Sequence, residues 1–126
     1  MFAIRFGVPE METFWKNLSA KARKGMLGKD EEKLYKKMGK AMAFLANDPK
    51  YPGLHSHEIE VLSKRYGMKV WQSYLENKTS GAGRIYWVYG PEKSDITIIG
   101  LEPHPEDKKS VGYEKVKLSA TGKEEI

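Results

Sequence analysis

Gly83-Arg84-Ile85-Tyr86-Trp87-Val88-Tyr89, followed by Asp95-Ile96-Thr97-Ile98-Ile99-Gly100-Leu101, is the stretch on which the fold turns. The first run is rich in β-branched and aromatic residues, which suit a pleated, half-buried surface. Alternation along a strand places Arg84, Tyr86 and Val88 on one face and Ile85, Trp87 and Tyr89 on the other. The second run is apolar on both faces, as expected for a strand in the middle of a sheet. Gly90-Pro91-Glu92-Lys93-Ser94 joins them with turn chemistry, so the pair reads as a β-hairpin. The second strand leads into Glu102-Pro103-His104-Pro105-Glu106-Asp107, where proton-carrying side chains follow the sheet.

Upstream of the hairpin, Phe2, Ile4 and Phe6 share one face of a short strand that Gly7-Val8-Pro9 ends. Pro9 suits the first turn of a helix, where its missing N–H costs nothing. Met11, Phe14 or Trp15, Leu18 and Ala22 recur at helical spacing, and Gly25 after a cationic last turn is a natural stop. A second helix is expected from Asp30 as its cap, with Leu34, Met38, Ala41 and Leu45 forming one stripe. Gly39 within it suggests close approach of the first helix. Asn47-Asp48-Pro49 stops it, because the residue before proline is pushed out of the α region. The short connection makes an antiparallel helical hairpin.

Residues 49–67 read as irregular, with Glu58-Ile59-Glu60-Val61-Leu62 consistent with either a short strand or a helical turn. Met68 to Leu75 reads as a strand, residues 76–82 as a connector, and Tyr113 to Leu118 as an added edge strand. The expectation is a single α+β domain over residues 1–126, ordered β-α-α-β-β-β. Its helical hairpin covers the Ile85/Trp87 face of a small, mainly antiparallel sheet. The opposite face is then open to a partner.

Composition narrows the partners. Lys and Arg number 22 against 17 Asp and Glu, a net charge of +5 that favours an anionic partner or serves solubility alone. No run reaches the ~18 apolar residues of a bilayer span, and the N-terminus alternates like a strand instead of forming a signal peptide. With no cysteine, disulfides and thiolate metal sites are excluded, which is compatible with a cytoplasmic location. His55-Ser56-His57 resembles a metal clip, but two histidines without a spaced third ligand are a weak signal. No metal or cofactor is expected.

The ordered elements resemble the RelE/ParE superfamily of bacterial toxin–antitoxin toxins. The likeness runs from Phe2 to about Tyr113 and rests on Phe44-Leu45-Ala46-Asn47-Asp48-Pro49, Tyr51-Pro52-Gly53-Leu54, Gly83-Arg84-Ile85-Tyr86-Trp87 and the apolar strand leading to His104. It implies a type II toxin held by a small cognate antitoxin, with residues beyond about 106 as a C-terminal extension. One branch of the superfamily cleaves mRNA on the ribosome; the ParE branch inhibits DNA gyrase. Fold does not choose between them, nor between either and a non-toxic nucleic-acid- or protein-binding module of the same fold. In the first branch Arg84 and His104 look like the catalytic arginine and the acid/base residue. In two respects the chain departs from that pattern: Lys69 is the only base around the Val70–Leu75 strand, and Tyr113 lies nine residues after His104.

RNA cleavage needs a base for the 2′-OH, an acid for the leaving 5′-oxygen and cations for the phosphate. His104 has a pKa range suited to proton transfer, and Arg84 can hold a phosphate with paired N–H donors. Glu58, or Glu60, is a further base if the irregular segment folds over the sheet. Tyr86 and Tyr113 can stack on a base, and Lys69 and Gln72 can contact substrate. The plainer alternatives are that Arg84 pairs with Glu102 across the hairpin, that His104 is an exposed loop residue, and that the tyrosines pack.

Overall fold

A computed structural model of the chain describes residues 1–76, 83–102 and 112–121. Five strands form one sheet: β1 (Ala3–Phe6), β2 (His57–Glu58), β3 (Trp71–Tyr74), β4 (Arg84–Tyr89) and β5 (Asp95–Glu102). Three helices accompany them: α1 (Glu10–Arg23), α2 (Lys29–Asn47) and α3 (Glu60–Tyr66). The spatial order is β1-β5-β4-β3-β2. β1 runs parallel to β5, and every other pairing is antiparallel. The architecture is therefore α+β with a mixed sheet. β5, apolar on both faces in sequence, lies between β1 and β4 and is buried along its whole length.

α1 begins directly after Pro9 and ends at Arg23, one residue before the Lys24 cap and Gly25. α2 begins one residue before the expected cap: Gly28, not Asp30, occupies that position. The Glu31 carboxylate turns back to accept from the Gly28 N–H at 3.1 Å, which satisfies a free donor of the first turn. Asp30 instead joins Glu31 and Glu32 within that turn, where carboxylates complement the helix dipole. Lys21 bonds Glu31 at 2.9 Å and Trp15 stacks on Tyr35 at 5.1 Å, so rising positions on α1 meet falling positions on α2. The helices are antiparallel, as their short connection requires. Gly39 does not mark their contact, because a Cβ there would meet nothing within 4 Å.

Met11, Met38, Ala41 and Leu45 from the helices pack on Ile85, Trp87, Ile96, Ile98 and Leu101 of the sheet. Phe2, Ile4 and Phe6 border the same core. This is the expected Ile85/Trp87 face. At its centre the Trp87 indole donates to Ser73 Oγ at 2.8 Å, and Ser73 shares a 2.6 Å hydrogen bond with Ser56 Oγ.

The opposite face is not open. α3 and the segment from Gly112 to Thr121 cover it, burying Ile59, Leu62, Val70, Tyr86, Val88, Ile99 and Val116 in a second core. The undecided 58–62 stretch divides into the end of β2 and the start of α3. The β3 strand is shorter than expected, ending at Tyr74 and beginning at Trp71. The C-terminal segment is not an edge strand: it makes a 3-10 turn over Tyr113–Lys115 and then an isolated bridge between Ala120 and Val8. Gly100 permits this crossing, since a Cβ there would lie 3.1 Å from both Leu118 and the Lys117 carbonyl. Among the described residues no helix is long and apolar enough to cross a membrane.

Candidate functional site

Cross-strand partners in an antiparallel pair share a face, so the register assigns each expected site residue to a side. Tyr74, Arg84 and Glu102 form one row across β3, β4 and β5; Gln72, Tyr86 and Gly100 form the next. Both rows lie on the face beneath α3 and the C-terminal segment. A register shift between Tyr86 and Trp87 follows, where β4 is irregular against β5.

Arg84 opens β4, and Glu102 closes β5. The guanidinium Nη2 stands 3.8 Å from Glu102 Oε1, an ion pair too long for a hydrogen bond. The Glu102 side chain is 3% exposed and that of Arg84 20%, so the carboxylate is enclosed while the cation reaches the surface. This pairing across the hairpin is the arrangement expected of a structural arginine. The Arg84 side chain is only partly exposed at the sheet end, and its Nε is enclosed. His104 follows Glu102 by two residues and lies outside the described residues.

The adjacent row is interior. Tyr86 and Gln72, expected to contact substrate, are buried. The Tyr113 ring meets Tyr86 edge-on at 6.5 Å, and its hydroxyl donates to Gln72 Oε1 at 3.3 Å. These aromatics pack the second core in this conformation and present no open stacking surface. Burial pushes the Tyr86 phenol well above its ordinary pKa, with the nearby Arg84 charge opposing the shift. Its hydroxyl is enclosed and finds no hydrogen-bond partner among the described residues. A phenol held neutral in this way does not serve as a base at physiological pH.

Glu58 pairs with Trp71, which pairs with Trp87 of the helix-side core. Its register position is therefore on the face opposite Arg84, and the two do not converge. Glu60 begins α3 and is exposed, pairing with Lys64 at 3.5 Å. Lys69 is exposed in the connection between α3 and β3. His57 donates from Nδ1 to the His55 carbonyl at 3.0 Å, and among the described residues no three His, Asp or Glu side chains form a metal-sized cluster.

Arg65 was not among the expected residues. From α3 it donates to the Tyr113 carbonyl at 2.7 Å and also to the carbonyl of Val116, holding the covering segment in place. Tyr66 adds a 2.6 Å hydrogen bond to the Ser119 carbonyl. The only sequence signal was the cationic end of a short apolar-polar run, which names no partner.

Comparison of the chain with protein-family models, curated proteins and solved structures finds no significant match. Function is therefore argued from the residues themselves.

Proposed function

We propose that this chain is the toxin of a type II toxin–antitoxin system, acting in the cytoplasm as an endoribonuclease on mRNA held by the ribosome. The observation that carries the reading is the partly exposed Arg84 guanidinium at the end of β4, braced by the enclosed Glu102, with His104 two residues further along the chain. The ordered RelE/ParE-like motifs, Arg84 and His104 among them, also support it. In the proposed reaction the substrate 2′-oxygen attacks the adjacent phosphorus and the bond to the 5′-oxygen breaks. The products are a 2′,3′-cyclic phosphate and a 5′-hydroxyl. Arg84 stabilises charge gathering on the phosphate oxygens, and His104 moves a proton at the reacting oxygens. Glu58 has no part in this scheme because its register assigns it to the other face. Substrate approaches the sheet end, since the face itself is covered.

The burial of Tyr86 and Gln72 favours a second reading, a ParE-like inhibitor that binds DNA gyrase and needs neither acid nor base. Primer extension on mRNA in a translating extract separates the two. The ribonuclease produces breaks within codons, and Arg84→Ala and His104→Ala each lower the rate about 10²-fold or more. Intact mRNA with blocked DNA supercoiling selects the gyrase reading. A small antitoxin with an acidic or amphipathic segment, encoded beside this chain, is the expected partner; co-expression and affinity purification test for it.

A further inference from the structure

α2, the turn at Pro52–Leu54 and the end of β3 border a cleft of about 350 Å³. Its floor is apolar, with Ala41, Leu54 and Leu75 buried. Aromatic rings line it. Tyr51 stacks on Phe44 with centroids 4.5 Å apart and planes within 8°. A Cβ on Gly53 would lie 2.6 Å from the Tyr51 ring, so glycine at that position lets the ring lie down over the turn. Tyr51 is thus held against Phe44 and Gly53 while remaining 40% exposed, a preformed stacking surface.

The rim carries two lysines and one carboxylate, Glu76. Lys37 and Lys40, one turn apart on α2, both line the cleft. Lys37 is bonded to Glu76 at 2.9 Å, whereas Lys40 is exposed and, among the described residues, forms no ion pair. Lys33 and Lys36 continue the same helix face at seven and four residues before Lys40. An apolar floor, fixed aromatic walls and ammonium groups at the mouth suit a ligand with a planar body and an anionic end. The volume suits one small organic unit. We infer that this cleft binds a single nucleotide, its base against Tyr51 and its phosphate at Lys40 and Lys37. The nucleotide is either free or one unit of a single strand that follows the α2 lysines, the combination of stacking and cationic tracking by which single strands are held.

A titration of the ¹⁵N-labelled chain followed by amide shifts tests this without ribosomes or cleavage, so its outcome is independent of the toxin reading. UMP and AMP are expected to move the amides of Ala41, Gly53, Leu54 and Leu75, with inorganic phosphate at least tenfold weaker. Lys40→Glu, on an exposed helix face, and Tyr51→Leu each weaken nucleotide binding about tenfold or more, with other amide positions retained. Hexauridylate binding tenfold tighter than UMP, with an affinity that falls as salt rises, assigns the nucleotide to a strand; equal affinities assign it to the free pool. The inference is overturned if millimolar nucleotide leaves those amides unmoved, if phosphate matches UMP, or if Lys40→Glu binds as the wild type does. Hexaglutamate binding there as tightly as hexauridylate would also overturn it, giving the cleft to an acidic protein segment.

Discussion

Arg65 Nη1 donates to the carbonyl oxygen of Tyr113 at 2.7 Å, joining residues 48 positions apart in the chain. The same guanidinium reaches the Val116 carbonyl, so one side chain satisfies two backbone acceptors of the segment that covers Tyr86 and Gln72. Charge-assisted hydrogen bonds are the stronger kind, and their loss here is expected to cost about 2 kcal/mol. Arg65→Ala is therefore expected to loosen this segment while sparing the sheet. Hydrogen exchange checks it at the Ser119 amide, which donates to the Ile99 carbonyl at 2.7 Å. Faster exchange at Ser119 with unchanged protection in β4 is the expected result; wild-type protection at Ser119 would show that Arg65 does not hold the segment.

Tyr86→Phe removes a buried hydroxyl that has no hydrogen-bond partner among the described residues. Removing an unsatisfied polar group leaves stability at neutral pH unchanged or raises it by roughly 1–2 kcal/mol. The pH dependence has a definite sign. Burial raises the folded-state pKa of this phenol above its ordinary value of 10.0. Its contribution to stability is then fully present below pH 10 and is lost as the pH rises further, because the unfolded chain releases the proton first. Tyr86→Phe should lose less stability than the wild type above pH 10. Some alkaline sensitivity remains, since burial also raises Tyr66 and Tyr89. Urea unfolding at neutral and alkaline pH measures both effects; a large loss at neutral pH contradicts the first.

Trp87 is 1% exposed at the centre of the helix-side core. Trp87→Ala is expected to cost about 3–5 kcal/mol, the scale of a large aromatic truncation that leaves a cavity. Ser73→Ala should cost about 1–3 kcal/mol, because it strands both the Trp87 indole N–H and the Ser56 hydroxyl. Denaturation midpoints read both, and an unchanged midpoint for Trp87→Ala would falsify the packing of the helices on this face.

Gly39 lies exposed within α2, in backbone that any residue can adopt, with open space where a side chain would go. Gly39→Ala is expected to stabilise the chain by about 1 kcal/mol through helix propensity and the loss of unfolded-state freedom. A thermal melt that moves downward would indicate a contact at this position.

The hairpin, the first two helices and the face on which they meet were legible in the sequence because each depends on short-range periodicity. Ile85 and Trp87 alternate with Arg84 and Tyr86, while Met11, Leu18, Met38 and Leu45 repeat at helical spacing; either pattern needs only neighbouring residues to be read. Asp48-Pro49 ended α2 by a local steric rule. α3 was harder to read. Its seven residues span barely two turns, and of its adjacent apolar pair Leu62 is buried while Val61 is 57% exposed.

What tertiary structure alone decided is the second face of the sheet. Val116 and Leu118 alternate as in a strand but pair in none; they find their places only against Tyr86, Val88 and Ile99, residues far away in the chain. Arg65, a surface cation by composition, becomes a clasp because folding brings two distant carbonyls to it. The register between β3 and β4 likewise separates Glu58 from Arg84, which sequence order had left free to meet. Periodicity along the chain determines which side of an element is apolar. Which distant segment covers that side is settled only when the assembled sheet makes its burial outweigh the entropy of closing the intervening loops.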